Sequence, residues 1–123
     1  MASADDIRAT VRAYVEAVGS GSAAEIVALY RADATVEDPV GSAPHVGHAA
    51  ILAFYESFEQ LERSSELFSV RVAGNSAAFS FRVVTRFGDQ SFTLEPIDVM
   101  TFDEDARIAS MRAFWSQDDM IAG

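Results

Sequence analysis

The chain has 123 residues, half of them hydrophobic, and we expect a single domain with its own core over residues 1–123. Its formal net charge of −10 argues against nucleic acid or an anionic membrane surface as a partner. Because the chain has no cysteine and no lysine, thiolate nucleophiles, disulfides and lysine Schiff bases are excluded. No apolar run reaches the roughly 20 residues of a membrane helix, and the acidic N-terminus is unlike a signal peptide, so we expect a cytoplasmic protein.

The first half of the chain has the apolar spacing of amphipathic helices, as between Ile7 and Val18. Small and polar residues at 19–22 end the first helix, and Ser22 can cap the second. A short strand stops at Asp38-Pro39, and a loop with two prolines follows. The predicted elements are a helix over about residues 4–18, a short helix over 26–30, a strand at 35–37 and a helix over 51–58.

After residue 65 the hydrophobic pattern changes to a period of two, which is typical of strands. Turn-type sequences at Gly74-Asn75, Gly88-Asp89 and residues 103–105 divide this half. The predicted strands are 67–72, 77–86, 91–102 and 107–117. Consecutive strands with short turns predict an antiparallel, curved sheet, and the helices would cover one face of it. The fold class is therefore expected to be α+β.

Asp98 does not match the face of the strand on which it lies. Its face carries otherwise apolar residues, namely Phe92, Leu94, Pro96, Met100 and Phe102. An ionised carboxylate is costly in such surroundings, and burial favours the neutral acid, which can donate a hydrogen bond. Alternatively, Asp98 pairs with an arginine or caps a backbone group. The alternation alone leaves both interpretations open.

Tyr14 and Tyr55 fall on the apolar sides of the first and third predicted helices, and Tyr30 ends the second, so we expect all three tyrosines of the chain to point toward the interior. A buried tyrosine needs a partner for its hydroxyl, and three of them near Asp98 would form a polar network in an apolar pocket. Asp38 lies before a proline, where aspartate commonly initiates a turn, so its position alone does not make it a catalytic base.

Metal binding is not predicted. His45 and His48 lie together in the proline-containing loop, without cysteine and without a zinc-binding motif. The chain also has no glycine-rich phosphate loop and no nucleophile elbow.

Three segments carry a resemblance to a known family. They are residues 29–39 (Leu-Tyr-Arg-Ala-Asp-Ala-Thr-Val-Glu-Asp-Pro), 97–104 (Ile-Asp-Val-Met-Thr-Phe-Asp-Glu) and 111–116 (Met-Arg-Ala-Phe-Trp-Ser). Together with Tyr14, they resemble bacterial steroid Δ5-3-ketoisomerases, which belong to the nuclear transport factor 2-like, SnoaL-like superfamily. The resemblance extends over nearly the whole chain.

The resemblance implies a conical, curved antiparallel sheet that packs with three N-terminal helices around a deep apolar pocket. It implies that Asp38 is the general base, that Tyr14 and a protonated Asp98 bind the substrate's oxyanion, and that Tyr30 and Tyr55 extend the tyrosine network. The pocket walls implied by the resemblance are Phe54, Phe81, Val83, Leu94, Met111, Ala113 and Trp115. The substrate would be a steroid, no cofactor would be needed, and the protein would form a homodimer through the sheet.

One position departs from the family pattern. Pro96 stands where relatives tend to have an aliphatic residue, and a proline cannot donate to the ladder of a sheet. Three alternative functions remain. The first is another SnoaL-like enzyme, a cyclase or dehydratase, which would typically use a His-Asp pair in the pocket. The others are a non-catalytic binder of apolar ligands and an interaction domain without a cavity.

Overall fold

The computed structural model describes all residues, 1–123, and contains three α-helices. They are α1 (Ala4–Ser20), α2 (Ala23–Val27) and α3 (His48–Glu59). Serine side chains cap the first two helices: Ser3 accepts a hydrogen bond from the Asp6 N–H, and Ser22 accepts one from the Glu25 N–H. The predicted cap at Ser22 is confirmed. None of the helices combines the length and hydropathy that a membrane span requires.

The strands form one curved, unclosed sheet of eight strands. They are β1 (Tyr30–Glu37), β2 (His45–Val46), β3 (Glu62–Ala73), β4 (Ser76–Phe87), β5 (Gln90–Leu94), β6 (Ile97–Phe102), β7 (Ile108–Phe114) and β8 (Ile121–Ala122). β3 pairs along one edge of β4, and β6 and then β5 pair along the other edge. β7 joins β6 to β1. The predicted α+β class is confirmed, although the β1–β7 pairing is parallel rather than antiparallel.

The predicted strand 91–102 is interrupted in the structure at Glu95-Pro96. Val83 pairs with Leu94, and Ser80 pairs with Ile97, so both sides of the interruption keep the same register on β4. The ladder is broken because proline has no N–H to donate. The break therefore changes the hydrogen bonding without moving Asp98 to the other face.

Gly19 belongs to α1 rather than to the segment that was predicted to end it. A Cβ atom at this position would lie 2.1 Å from the Ser65 Oγ and 2.9 Å from the Ser65 backbone nitrogen. The Ser65 hydroxyl donates to the Val15 carbonyl at 2.6 Å. Only glycine lets α1 and β3 approach so closely, and this contact closes one side of the fold.

The core lies between the helices and the inner face of the sheet. Its largest buried side chains come from both layers, for example Ile7 and Tyr30 on one side and Phe79 and Met100 on the other. Two apolar side chains on neighbouring strands, Ile97 and Phe114, pair with one another but remain about half exposed.

Candidate active site

A cavity of about 360 Å³ opens between the helices and the inner face of the sheet. Thirteen of its 19 lining residues are hydrophobic, and the remainder include two aspartates. A largely apolar cavity with a few polar groups is the usual form of a small-molecule site.

Asp38 lies at the edge of this cavity because β1 ends one residue before it. β1 and β7 run in parallel with Glu37 opposite Arg112, so the residue that follows β7, Trp115, reaches the end of β1. The Trp115 Nε1–H donates to the Asp38 Oδ1 at 2.7 Å. The Val40 N–H donates to the Ala113 carbonyl at 2.8 Å and ties the following loop to the same strand.

The charge state of Asp38 reflects opposing effects. Burial raises the pKa of Asp38 above its ordinary value, and the hydrogen bond from Trp115 and the nearby His45 oppose this increase without cancelling it. The indole therefore stabilises the ionised carboxylate and fixes one of its oxygens, which leaves the other oxygen free to act on a bound molecule.

Asp98 is the second residue of β6 and lies between Phe79 of β4 and Ala113 of β7. It is 1% exposed, and its Oδ1 has no hydrogen-bond partner. No arginine forms an ion pair with it, so the alternative interpretation of Asp98 as a structural ion pair is wrong. Burial, and secondarily the negative charge of Asp38, raise the pKa of Asp98 well above its ordinary value. Burial therefore favours the neutral form of Asp98, whose O–H would be able to donate into the cavity.

The three tyrosines form a hydrogen-bonded chain. The Tyr14 and Tyr55 hydroxyl oxygens are 3.1 Å apart, and those of Tyr55 and Tyr30 are 2.8 Å apart. Burial raises the pKa of each phenol, so all three hydroxyls keep their protons. Tyr14 and Tyr55 line the cavity, whereas Tyr30 lies behind them in the core. If Tyr30 donates to Tyr55 and Tyr55 donates to Tyr14, the Tyr14 proton stays available to donate into the cavity.

Most of the predicted wall residues line the cavity, namely Phe54, Phe81, Val83, Leu94, Ala113 and Trp115. The prediction that Met111 is part of the cavity wall is wrong, because Met111 is buried in the core and does not line the cavity. It pairs with Val36 and Met100, two residues along β7 from the Asp98–Ala113 pair, and so lies beyond the end of the cavity.

Other lining residues were not among the predicted walls. They are Val18, Ile26, Pro39, Phe58, Arg63, Thr85, Phe92, Pro96 and Met120. The strand alternation that singled out Asp98 already placed Phe92 and Pro96 on its face. For Arg63 and Met120 the sequence carried no such signal.

Neither histidine lines the cavity. The His45 ring stacks on Phe54 with 4.5 Å between centroids, and the His48 Nε2 lies 2.8 Å from the Tyr30 carbonyl oxygen. No group of three or more potential metal-ligating side chains occurs in the chain. The cavity therefore presents carboxyl and phenol groups rather than a histidine pair.

The fold and the cavity define a class of protein. Residues 11–111 match the model of the SnoaL-like domain family, and the chain belongs to that family. Two solved structures share its fold. SalBIII, described as an epoxide hydrolase/cyclase-like enzyme in pyran ring formation in the polyether salinomycin, is 26% identical, with a TM-score of 0.90 over 98% of both chains. RV0760c from Mycobacterium tuberculosis is 16% identical, with a TM-score of 0.89 over the whole of both chains.

A curated relative is more informative. The Steroid Delta-isomerase of Nocardioides simplex is 53% identical over 116 residues, which are 94% of this chain and 94% of that protein. The predicted resemblance to bacterial steroid isomerases is confirmed.

Proposed function

We propose that this chain is a steroid Δ-isomerase, which converts 3-oxo-Δ5 steroids into conjugated 3-oxo-Δ4 steroids. The observation that carries the proposal is a pair of aspartates in one apolar cavity. Burial raises the pKa of both, but only for Asp38 does a hydrogen bond oppose the increase. The similarity to the Nocardioides simplex protein supports the same reaction.

Asp38 is the proposed general base. Its carboxylate takes a proton from C4 of the steroid, next to the C3 ketone, and a dienolate forms with its negative charge on the C3 oxygen. The same carboxyl group then returns that proton to C6, so no proton is lost to solvent overall. Because Trp115 holds one oxygen of Asp38, the other oxygen is directed at the steroid face.

Tyr14 and Asp98 are the proposed oxyanion donors. Both line the cavity and both keep their protons, so each offers an O–H to the C3 oxygen as its charge develops. Donors that are fixed in a dry site need no reorganisation during the reaction. A neutral carboxylic acid in this role is the established chemistry of ketosteroid isomerases. Tyr55 and Tyr30 would act through Tyr14 by orienting its hydroxyl.

The apolar walls account for the rest of the binding. A fused-ring steroid is rigid and apolar, so aromatic and aliphatic side chains bind it with little loss of entropy. A proton transfer next to a ketone needs no metal or nucleotide, and we propose that no cofactor takes part.

The likeness to SalBIII raises a second candidate, a cyclase or hydrolase on the same fold. Such enzymes would be expected to use histidine in the pocket, and here both histidines bind elsewhere. A non-catalytic binder would have no need of an ionised carboxylate fixed by an indole. Both features favour the isomerase.

We also propose that the protein is a homodimer formed through the outer face of the sheet. Ile97 and Phe114 form an exposed apolar pair there, and a second copy would cover it. Light scattering should give twice the chain mass, and Ile97→Glu should give the mass of one chain. A wild-type protein that is monomeric at all concentrations would overturn this proposal. A cytoplasmic location stays a prediction of the sequence and is tested by cell fractionation.

The direct test follows the ultraviolet absorbance of the conjugated enone when the protein is mixed with 5-androstene-3,17-dione. Rapid growth of this absorbance supports the isomerase. If the folded protein binds the steroid but the absorbance stays at the uncatalysed rate, the isomerase is wrong and the binder is favoured. Mass spectrometry of the product distinguishes isomerisation from hydration or cyclisation.

A further inference from the structure

Polar side chains line the cavity at two separate levels. The first level holds the two aspartates and the two tyrosines of the proposed reaction. The second level holds Arg63 and Thr85, which face one another across β3 and β4. On β4 the residue opposite Asp98 is Phe79, so the two levels are six residues apart, or about 20 Å along a curved strand.

The second level is at the open side of the cavity. Arg63 and Thr85 are half-buried and Phe58 is 41% exposed, whereas Tyr14 and Asp98 at the first level are almost fully buried. α1 extends from the first level toward the second, because Val18 lies one helical turn after Tyr14 and also lines the cavity. A molecule bound with one end at Asp98 therefore points its other end toward Arg63.

Arg63 still has donors to offer. Its guanidinium donates to the carbonyls of Val18 at 2.6 Å, Gly21 at 2.8 Å and Leu61 at 3.3 Å. A guanidinium has five N–H groups, so two remain after these three bonds. No carboxylate forms an ion pair with Arg63, although the chain has 19 acidic residues. The Thr85 hydroxyl also makes no hydrogen bond within the protein, in contrast to the Ser65 hydroxyl on the facing strand.

We propose that Arg63 and Thr85 determine substrate specificity by binding a hydrogen-bond-accepting oxygen at the D-ring end of the steroid. The inference rests on the proposed function, which puts the C3 oxygen at Tyr14 and Asp98. The rigid ring system then carries its opposite end toward the open side. An oxygen there meets the free N–H groups and the hydroxyl, whereas a hydrocarbon end leaves them unpaired. A carboxylate binds more tightly than a ketone, because a charged acceptor strengthens bonds from a guanidinium.

The test uses three steroids that differ only at C17: one with no oxygen, one with a ketone and one with a carboxylate. Dissociation constants for the Δ4 forms are measured by calorimetry, and kcat/KM for the Δ5 forms by absorbance. In the wild type we expect affinity to rise from the first to the third steroid, by about tenfold overall. In Arg63→Leu the three affinities should become equal to within about twofold. Thr85→Val should remove part of the ketone preference.

Two controls separate recognition from structural damage. Arg71→Leu removes an exposed arginine from the same strand and should keep the full preference. Because Arg63 also binds the carbonyls at the end of α1, Arg63→Leu is checked by circular dichroism, and Thr85→Val tests the same site if Arg63→Leu does not fold.

Equal affinities for the three steroids in the wild type would overturn the inference, as would a preference that survives in both variants. Absence of turnover with all three Δ5 steroids would overturn the isomerase instead. The binding constants would still report whether the D-ring end is recognised.

Discussion

The end of β1 and the first residues of β6 each place an aspartate on the cavity wall, but the two surroundings differ. Asp38 lies at a strand end, half-buried, with an indole N–H on one oxygen. Asp98 lies within a strand, fully buried, with an oxygen that has no partner. Burial raises both pKa values, but only for Asp38 does a hydrogen bond oppose the increase. Residues of one chemical type thereby become a base and an acid in the same cavity.

The largest effect is expected from Asp38→Asn, which removes the base and keeps the shape. We expect kcat to fall by roughly 10²- to 10⁴-fold, because no other carboxylate in the cavity is ionised. Steroid binding should be retained, as measured by fluorescence titration with an equilenin-like phenol. Asp33→Asn, at an exposed position on the same strand, is the control and should leave kcat unchanged. Full activity of Asp38→Asn would remove Asp38 from the mechanism.

Loss of one oxyanion donor should have the next largest effect. Tyr14→Phe and Asp98→Leu are each expected to lower kcat by roughly 10²- to 10³-fold, with KM changed much less. Asp98→Asn should lower kcat less than Asp98→Leu, since the amide still donates an N–H. Tyr30→Phe is the control for Tyr14→Phe. It removes the hydroxyl at the far end of the chain of tyrosines and should lower kcat far less. Equal losses in Tyr14→Phe and Tyr30→Phe would mean that the tyrosines act only structurally.

Trp115→Phe sharpens the comparison by removing the hydrogen bond that opposes the rise in the pKa of Asp38. The pKa of Asp38 should rise, and the acid limb of the kcat/KM profile should move to higher pH. Activity at high pH should recover most of the wild-type value. A loss of activity that is the same at every pH would show that the indole acts by packing alone.

The smallest effect is on stability. The pKa of Asp98 is higher in the folded than in the unfolded chain, so the folded chain binds more protons between the two values, and its stability decreases as pH rises through that window. Asp98→Asn does not titrate, so its melting temperature should rise relative to that of the wild type as pH increases through that window. The difference should shrink toward acid pH, below both pKa values. Parallel melting curves for the two proteins across pH would contradict a neutral Asp98.

Local signals made much of the fold predictable. The Ser22 cap, the strand alternation and the turn sequences act within a few residues, and the first and third helices and the turns occur close to where they were predicted. The second helix was predicted over 26–30, but it ends at Val27, and Tyr30 begins β1. The predictions were wrong where contacts between residues far apart in the sequence determine the local structure. Gly19 stays helical because Ser65 packs against it, and the sequence does not show which strand lies beside α1.

The candidate site was predictable where one residue conflicted with its neighbours. Asp98 stood out because alternation put a carboxyl on an apolar face, and the structure bears out its burial. Met111 follows the same alternation but lies past the end of the cavity. The periodicity of a strand shows which face a residue is on, but it does not show how far the cavity extends along that face. The hydrogen bond between Trp115 and Asp38 joins two residues that are 77 positions apart in the sequence. It depends on the parallel pairing of β1 with β7.

The central claim is that Asp98 is protonated while Asp38 is ionised at neutral pH. Infrared difference spectra of the wild type against Asp98→Asn and against Asp38→Asn test it most directly. We predict a protonated carboxyl band that disappears in Asp98→Asn and a carboxylate band that disappears in Asp38→Asn. A carboxylate band lost from Asp98→Asn would mean that Asp98 is ionised and would contradict the account.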